Sequence, residues 1–172
     1  MSSAVIEERR GKVAGSGKFH IRDARAGDLP AIIRIYNKAI ATRMATAQLE
    51  PVTTGDRRDW LKQHSPNRHP FWVVEIGDKI AGWLTLKPFL PRGAYRGTGE
   101  VSVYVDERFR RQGIARALLE EAIVRGPSLE IRTIVGLIFA HNKPSLRLFE
   151  QLGFQEWDCF HASPDSITTN AT

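Results

Sequence analysis

Hydrophobic residues recur along this chain with two different periods, and the period predicts which segments are helices and which are strands. Helical spacing, in which apolar residues return every three or four positions, occurs in four stretches. Capping residues or prolines stand at the starts of most of these stretches, and glycines follow the last two. The predicted helices cover residues 28–40, 54–64, 113–125 and 142–152.

Strand patterns fill the segments between these helices. The second and third strands are separated by Gly77-Asp78-Lys79, a turn that predicts a hairpin. In the fourth strand, valines alternate with Ser102 and Tyr104, and the fifth is apolar on both faces, as expected of an interior strand. The predicted strands cover residues 19–24, 71–76, 80–86, 98–105, 131–139 and 154–160.

The order of these elements is β, α, α, β, β, β, α, β, α, β, which describes an α/β (α+β) fold with one mixed sheet flanked by helices. A chain of 172 residues, 42% of them hydrophobic, fits a single domain. The flanking segments show no sustained period. We therefore predict a flexible N-terminal leader at 1–18, one domain at 19–160 and a polar C-terminal tail at 161–172.

Composition excludes several classes of protein. The single cysteine, Cys159, cannot form an intrachain disulfide or a cysteine-based zinc site, and the histidines lack ligand spacing, so we expect no metal and a cytoplasmic location. No apolar run approaches the roughly 18 residues of a membrane span. Residues 1–18 also lack the apolar core of a signal peptide.

The net charge of +6 predicts an anionic partner, which could be a nucleic acid, a membrane surface or a phosphorylated cofactor. Residues 87–116 contain seven basic and three acidic residues, so most of this charge is local. It falls on two adjoining loops, one suited to the phosphates of a cofactor and the other to an acidic substrate. We therefore expect neither a nucleic-acid nor a membrane partner, and we expect the four tryptophans in the core or in pocket walls.

The basic turn RRQGIA, at 110–115, joins a strand to a helix. Unpaired amides and partial positive charge at a helix start attract phosphates, and arginines add charge-assisted hydrogen bonds. The same pattern fits an ordinary turn with a solvated face, and it is neither a P-loop nor a dinucleotide fingerprint. A second helix start, at Asn142, follows the fifth strand, so the two starts are predicted along one edge of the sheet.

The segments SVYVDERFRRQGIARALLEEAI and HNKPSLRLFEQLGF resemble the acetyl-CoA-binding core of the GNAT superfamily of N-acyltransferases. With IYNKAIATRMAT, PVTTGDRRDW, AGWLTLKPF and RGAYRGTGEVSVYV they resemble its phosphinothricin acetyltransferase branch, over residues 21–157. The resemblance implies a mostly antiparallel twisted sheet. Its central strands, at 101–105 and 133–139, would splay apart to admit the pantetheine arm of acetyl-CoA.

The resemblance also assigns roles to residues. Strand backbone would pair with the pantetheine amides, the basic turn would hold the pyrophosphate, and the last helix start would lie nearer the thioester. The implied cofactor-binding residues are Val103, Tyr104, Val105, Arg110, Arg111, Gln112, Gly113, Ile114, Ala115, Arg116, Asn142 and Ser145.

For the acceptor side, the resemblance implies Glu100 as the general base and Arg92 and Tyr95 as substrate-binding residues. Without it, Glu100 fits an ordinary strand-end glutamate. A carboxylate is chemically suitable, because an α-amine must lose a proton before it attacks a thioester. The implied reaction is direct acetyl transfer, in a ternary complex, to the amine of a small molecule of the phosphinothricin or methionine sulfone type, by a homodimer. The alternatives are a peptide or protein N-acetyltransferase of the same fold and a catalytically silent CoA-binding protein.

Two departures from the branch are visible. Phe149 stands where the branch has a histidine and many GNAT proteins a tyrosine, and phenylalanine cannot protonate the departing thiolate. The thiolate would then take its proton from water or from another group. It could also leave without a dedicated acid, since a thiol has a modest pKa, about 8.5. The chain also passes from the strand at 154–160 directly into a polar segment, which predicts that the last strand of the family is missing and a sheet edge is open or covered by a partner.

Overall fold

The computed structural model describes residues 9–12, 18–160 and 167–171, with side chains over 19–156. Within these ranges the chain forms one sheet of eight strands and three α-helices. The strands are β1 (Arg9–Lys12), β2 (Lys18–Asp23), β3 (Phe71–Ile76), β4 (Lys79–Pro88), β5 (Thr98–Val105), β6 (Thr133–Phe139), β7 (Gln155–Phe160) and β8 (Ile167–Ala171). The helices are α1 (Leu29–Thr42), α2 (Ile114–Arg125) and α3 (Lys143–Gln151).

The strands lie in the order β1-β2-β3-β4-β5-β6-β8-β7. Among the described strands only β5 and β6 pair in parallel, and all other neighbours are antiparallel. The connection between the two parallel strands passes through α2, as a parallel crossover requires. The predicted mixed and mostly antiparallel sheet is therefore confirmed.

The two faces of the sheet carry separate hydrophobic cores, because neighbouring residues of a strand point to opposite faces. On one face, α1 packs over Val73 of β3 and Trp83 of β4, and Tyr104 of β5 belongs to the same cluster. On the other face, α2 and α3 cover Leu84 of β4 and Val101 of β5. Even-numbered residues of β5 thus face α1, and odd-numbered residues face α2 and α3.

The central strands part after a short stretch of pairing. The parallel register joins 98–101 of β5 to 133–136 of β6 and goes no further. Beyond this point β5 remains paired with β4, and β6 remains paired with β8. The predicted splay is therefore confirmed, and it leaves the facing edges of both strands open at their carboxyl ends.

The structure bears on the predicted last strand, tail, leader and helix at 54–64. The predicted missing last strand is wrong, because β8 is present and lies between β6 and β7. It falls within the predicted tail, just as β1, which pairs with β2, falls within the predicted leader. Residues 1–8, 13–17, 161–166 and 172 lie outside the described residues. The predicted helix at 54–64 is wrong, since that segment consists of turns and the 3₁₀ helix Leu61–Gln63.

In the described part of the chain, no helix is both long enough and apolar enough to cross a membrane.

Candidate active site

Both helix starts that the sequence singles out lie at the carboxyl ends of the strands that part. β5 runs through the 3₁₀ helix Glu107–Phe109 into α2, and β6 runs through a short turn into α3. A crevice outside the carboxyl ends of diverging parallel strands is where α/β sheets commonly bind ligands. The splay and the two helix starts therefore form one cleft.

The start of α2 has the geometry of an anion site. Gly113 caps the helix with φ 78°, and Arg111 also has a left-handed backbone, with φ 59°. The first helical bond runs from the Ala117 amide to the Gly113 carbonyl at 2.9 Å, so the amides that precede Ala117 have no partner inside the helix. In the described part of the chain, Arg110 and Arg111 make no side-chain hydrogen bond or ion pair, and both are exposed.

Two other residues of the predicted phosphate turn have partners within the protein. Gln112 lies 3.4 Å from the Arg108 carbonyl through its side-chain nitrogen. The Arg116 guanidinium donates to the Gln151 side-chain oxygen on α3 and lies 3.9 Å from Glu120. Arg116 thus joins the two helices that border the cleft.

The open edge of β5 contains the three predicted pantetheine residues, Val103, Tyr104 and Val105. They pair with β4 on one side, at Leu84, Trp83 and Gly82 respectively, and with no described strand on the other. Unpaired backbone groups in such a cleft need hydrogen-bond partners, which the amides of a pantetheine arm can supply. The residues that resemble a CoA site therefore fit that group in chemistry and placement.

Asn142 caps α3, as predicted, and is buried. Its side-chain oxygen accepts from the Ser145 amide at 3.3 Å. Further along α3, Phe149 is 3% exposed and its ring lies against Phe154, with 4.6 Å between centroids. The position where the branch has a histidine is thus part of the hydrophobic core.

Glu100 lies on β5 one residue before the last position paired with β6, so it stands where the strands separate. Its side chain is 13% exposed, and strand alternation puts it on the same face as Tyr104, which belongs to the cluster under α1. Lys87, its partner across β4 and β5, places Nζ 2.9 Å from Glu100 Oε1. The carboxylate is therefore held at the cleft from the face opposite α2 and α3.

Two titratable side chains flank this ion pair. Burial raises the pKa of Tyr104, with a further contribution from Tyr36 and one from the charge of Glu100, so the phenol stays neutral. Its hydroxyl donates to the Ala45 carbonyl at 3.3 Å. Burial also lowers the pKa of His64, and the nearby charge of Lys87 lowers it further. The ion pair therefore lies next to two side chains, Tyr104 and His64, whose pKa shifts favour their uncharged forms.

A cavity of about 360 Å³ lies on the same face of the sheet and is lined by strand neighbours of Glu100, although not by Glu100 itself. Val135, the β6 partner of Glu100, and Thr98, two positions before it, form part of its wall together with Thr133. Phe89 and Tyr95, from the connection between β4 and β5, close it from the side. The cavity is large enough for the side chain of a small acceptor.

The predicted substrate residues separate in the structure. Tyr95 lines the cavity, and its ring lies 5.7 Å from that of Phe89. Arg92 is exposed, precedes the 3₁₀ helix Gly93–Tyr95 and is not among the cavity residues. Sequence reasoning missed Lys87, Thr98 and Thr133, which alternation within their strands places on the face of Glu100 once the register is known.

Among the described residues, no group of three or more histidine, cysteine, aspartate or glutamate side chains could hold a metal ion.

The fold and the cleft define an acetyl-CoA-dependent N-acetyltransferase, and the chain belongs to the Acetyltransferase (GNAT) family, whose model matches residues 29–154. The predicted resemblance to the phosphinothricin acetyltransferase-like branch is confirmed by its relatives.

Three of these relatives illustrate the likeness. One is YwnH of Bacillus subtilis, which is named provisionally as a phosphinothricin acetyltransferase. It is 44% identical over 140 residues, which are 81% of this chain and 86% of that protein. The L-methionine sulfoximine/L-methionine sulfone acetyltransferase of Pseudomonas aeruginosa is 32% identical over 136 residues, covering 78% of this chain and 79% of its own. The structure of a Sinorhizobium meliloti phosphinothricin acetyltransferase in complex with acetyl-CoA superposes with a TM-score of 0.81 at 26% identity, over 88% of this chain and 86% of that one.

Proposed function

We propose that this enzyme transfers the acetyl group of acetyl-CoA to the α-amine of a small amino-acid-like molecule of the phosphinothricin or methionine sulfone type. The observation that carries the proposal is the position of Glu100, a largely buried carboxylate at the point where β5 and β6 separate. The names of the relatives, which include acetyltransferases for both kinds of acceptor, support the substrate class.

On the cofactor side, the amides at the start of α2, with Arg110 and Arg111, would hold the pyrophosphate. The open edge at 103–105 would bind the pantetheine amides, and Asn142 would lie nearer the thioester. In this arrangement the thioester reaches Glu100 through the gap between the strands. The acceptor enters from the α1 face, with its side chain in the cavity beside Tyr95.

The reaction would proceed by direct attack in a ternary complex. Glu100 accepts a proton from the acceptor ammonium, and the neutral amine forms a C–N bond to the acetyl carbonyl carbon. As the C–S bond breaks, CoA leaves with the sulfur electron pair and the nitrogen releases its second proton to water. Phe149 has no proton to give, so the thiolate takes its proton from water, which is sufficient for a leaving group of ordinary thiol pKa, about 8.5.

A thiol-release assay with acetyl-CoA tests the proposal. The acceptors are phosphinothricin, methionine sulfone, methionine sulfoximine, polyamines and short peptides. We expect release with the amino-acid analogues, and we expect Glu100→Gln to lower kcat by roughly 10²- to 10⁴-fold while acetyl-CoA binding persists. Glu107→Gln, which removes a surface glutamate paired with Lys38 at 3.5 Å, is the matched control and should retain full activity.

Three outcomes would contradict the proposal. Faster thiol release with peptides than with free amino acids would make the enzyme a peptide or protein acetyltransferase. If none of the acceptors caused thiol release, the protein would bind CoA without catalysis. Full activity of Glu100→Gln would remove the carboxylate from the reaction.

We also propose that the enzyme is a cytoplasmic homodimer. The presence of a single cysteine supports a reducing compartment, and the family resemblance supports the dimer. Light scattering coupled to size-exclusion chromatography measures the mass, and a monomeric value would refute the dimer.

A further inference from the structure

The fold does not depend on the ion pair between Lys87 and Glu100 for its stability. Lys87 is 51% exposed and Glu100 13%, so a solvent-exposed ammonium reaches inward over a nearly buried carboxylate. Because half of the lysine side chain is exposed to water, the pair contributes little to stability. Its position over the proposed base suggests a role in the reaction.

Acetyl transfer requires this pair to open. An acceptor arrives as an ammonium ion, and its proton must reach the same carboxylate that Lys87 now contacts at 2.9 Å. When the acceptor ammonium takes the place of Lys87 on Glu100, Lys87 loses its anion unless the acceptor brings one. A favourable acceptor would therefore bring a negative charge of its own.

The cavity beside Glu100 supplies no positive charge for that anion. Its described lining consists of apolar, hydroxyl and amide side chains and one carboxylate, Glu156. Arg92, the arginine that the sequence predicts on the substrate side, is exposed and outside the lining. Lys87 is the cation that the strand register places next to the base.

We propose that Lys87 binds the α-carboxylate of the acceptor, and that the resting ion pair is exchanged for two pairs when a zwitterionic α-amino acid enters. The ammonium of the acceptor takes the place of Lys87 on Glu100, while Lys87 turns to the carboxylate. In an α-amino acid the nitrogen and the carboxyl carbon are only about 2.5 Å apart, from standard bond lengths and angles. The two charges of Lys87 and Glu100 therefore need to separate only slightly, and the four-carbon lysine stem permits this.

The inference rests on the proposed function and sharpens its substrate class. The enzyme should prefer free α-amino acids to amines, carboxamides and the N-termini of peptides, because those acceptors lack the carboxylate that Lys87 requires. Side-chain preference would be set separately, by the cavity.

The test compares methionine sulfone with its carboxamide. For the unaltered enzyme we expect kcat/KM to fall roughly 10- to 100-fold on removal of the carboxylate, the range for one charge-assisted hydrogen bond. Lys87→Met should raise KM for methionine sulfone by a similar factor and leave kcat within about threefold. The same variant should barely affect the carboxamide, because that acceptor never forms the ion pair with Lys87. Lys87→Arg should restore most of the discrimination.

Lys62→Met is the matched control for the loss of a lysine. It removes an exposed lysine paired with Asp59 at 2.7 Å and should change neither acceptor's kinetics.

Other results would overturn the proposal. Equal use of acid and carboxamide by the unaltered enzyme would do so, as would a Lys87→Met variant that keeps the preference or loses kcat equally on both acceptors. If no acceptor is acetylated, the proposed function fails, but calorimetric binding of methionine sulfone and its carboxamide to the CoA complex still decides the role of Lys87. Selective binding that Lys87→Met abolishes supports the role, and equal binding of the two refutes it.

Discussion

Gly136 lies beneath the ring of Phe149, so close that a β-carbon at position 136 would stand 2.5 Å from Cε1 of that ring. Gly136 is also the last residue of β6 paired with β5. The helix that starts at the cleft is thus seated on the strand at the point where the cleft opens. No side chain other than hydrogen fits between them.

Gly136→Ala should therefore destabilise the protein by about 1–3 kcal/mol, the usual result of adding atoms to a packed core. Urea denaturation measures the free energy of unfolding. The control is Gly27→Ala, where a β-carbon meets nothing within 4 Å and the expected change is within about 0.5 kcal/mol. Equal stabilities of the two variants would show that α3 can move away from β6 without cost.

Gly113→Ala tests the start of α2. A β-carbon at this position meets no atom within 4 Å, so space is not the reason for glycine, but φ of 78° is a conformation that alanine adopts at a cost of roughly 1–2 kcal/mol. We expect weaker CoA binding by calorimetry, because relief of that strain turns the amides that the phosphates would meet. Gly93→Ala, equally open and without a left-handed φ, is the matched control. Unchanged CoA affinity in Gly113→Ala would argue against this turn as the phosphate site.

Asp106 gives the fold a predictable response to acid. Its carboxylate accepts from the Arg108 guanidinium at 2.7 Å, and this hydrogen bond lowers its pKa to about 2. The Arg108 amide, at 3.0 Å, and Arg34, at 3.4 Å, also donate to it. Because the folded pKa lies below the unfolded value, the stabilisation is complete above the ordinary aspartate pKa, about 4, and is lost as the pH falls from there towards 2.

Asp106→Asn should accordingly be less stable than the unaltered protein at pH 7, and the difference should shrink between pH 5 and pH 3. Urea midpoints at each pH measure it, and the subtraction cancels the other carboxylates. A difference that stays constant over this range would mean that Asp106 acts through its shape alone.

Removal of residues 161–172 tests β8. The truncation deletes a strand that pairs with both β6 and β7, so two edges are exposed at once. We expect loss of soluble protein, and loss of far-ultraviolet circular dichroism for any that is recovered. Removal of residues 1–8, which precede β1, is the control for a shortened chain. A soluble, cooperatively folding truncated protein would show that β8 adds little to the sheet.

The elements that sequence predicts well are those with local causes. Val101, Val103 and Val105 identify β5 by alternation, and glycines end α2 and α3 where the helical period stops. The segment 54–64 misled because it has a local helix-start signal: the Thr53 amide donates to Asp56 at 2.8 Å and the Asp56 amide donates to the Thr53 hydroxyl at 3.2 Å, as in a capping box. In the structure this pair opens a run of turns instead of an α-helix.

The missed features depend on distant pairing. Five residues, ITTNA, form β8 only because β6 and β7 supply partners on both sides. The ion pair of Lys87 with Glu100 depends on the register between β4 and β5. The connection between these strands is longer than the short hairpin loops whose length predicts a register. Family resemblance indicates Glu100, but it gives no reason to single out Lys87.

The position of β8 between two earlier strands also sets an order on biosynthesis. β6 and β7 leave the ribosome before β8, which pairs with both of them. Until β8 is made, each of these strands has an unpaired edge, and β6 also borders the cleft. Non-local pairing of this kind slows folding and exposes edges to aggregation while it is incomplete. The native sheet order is therefore attainable only after β8 has been synthesised, so completion of the whole sheet depends on residues 167–171.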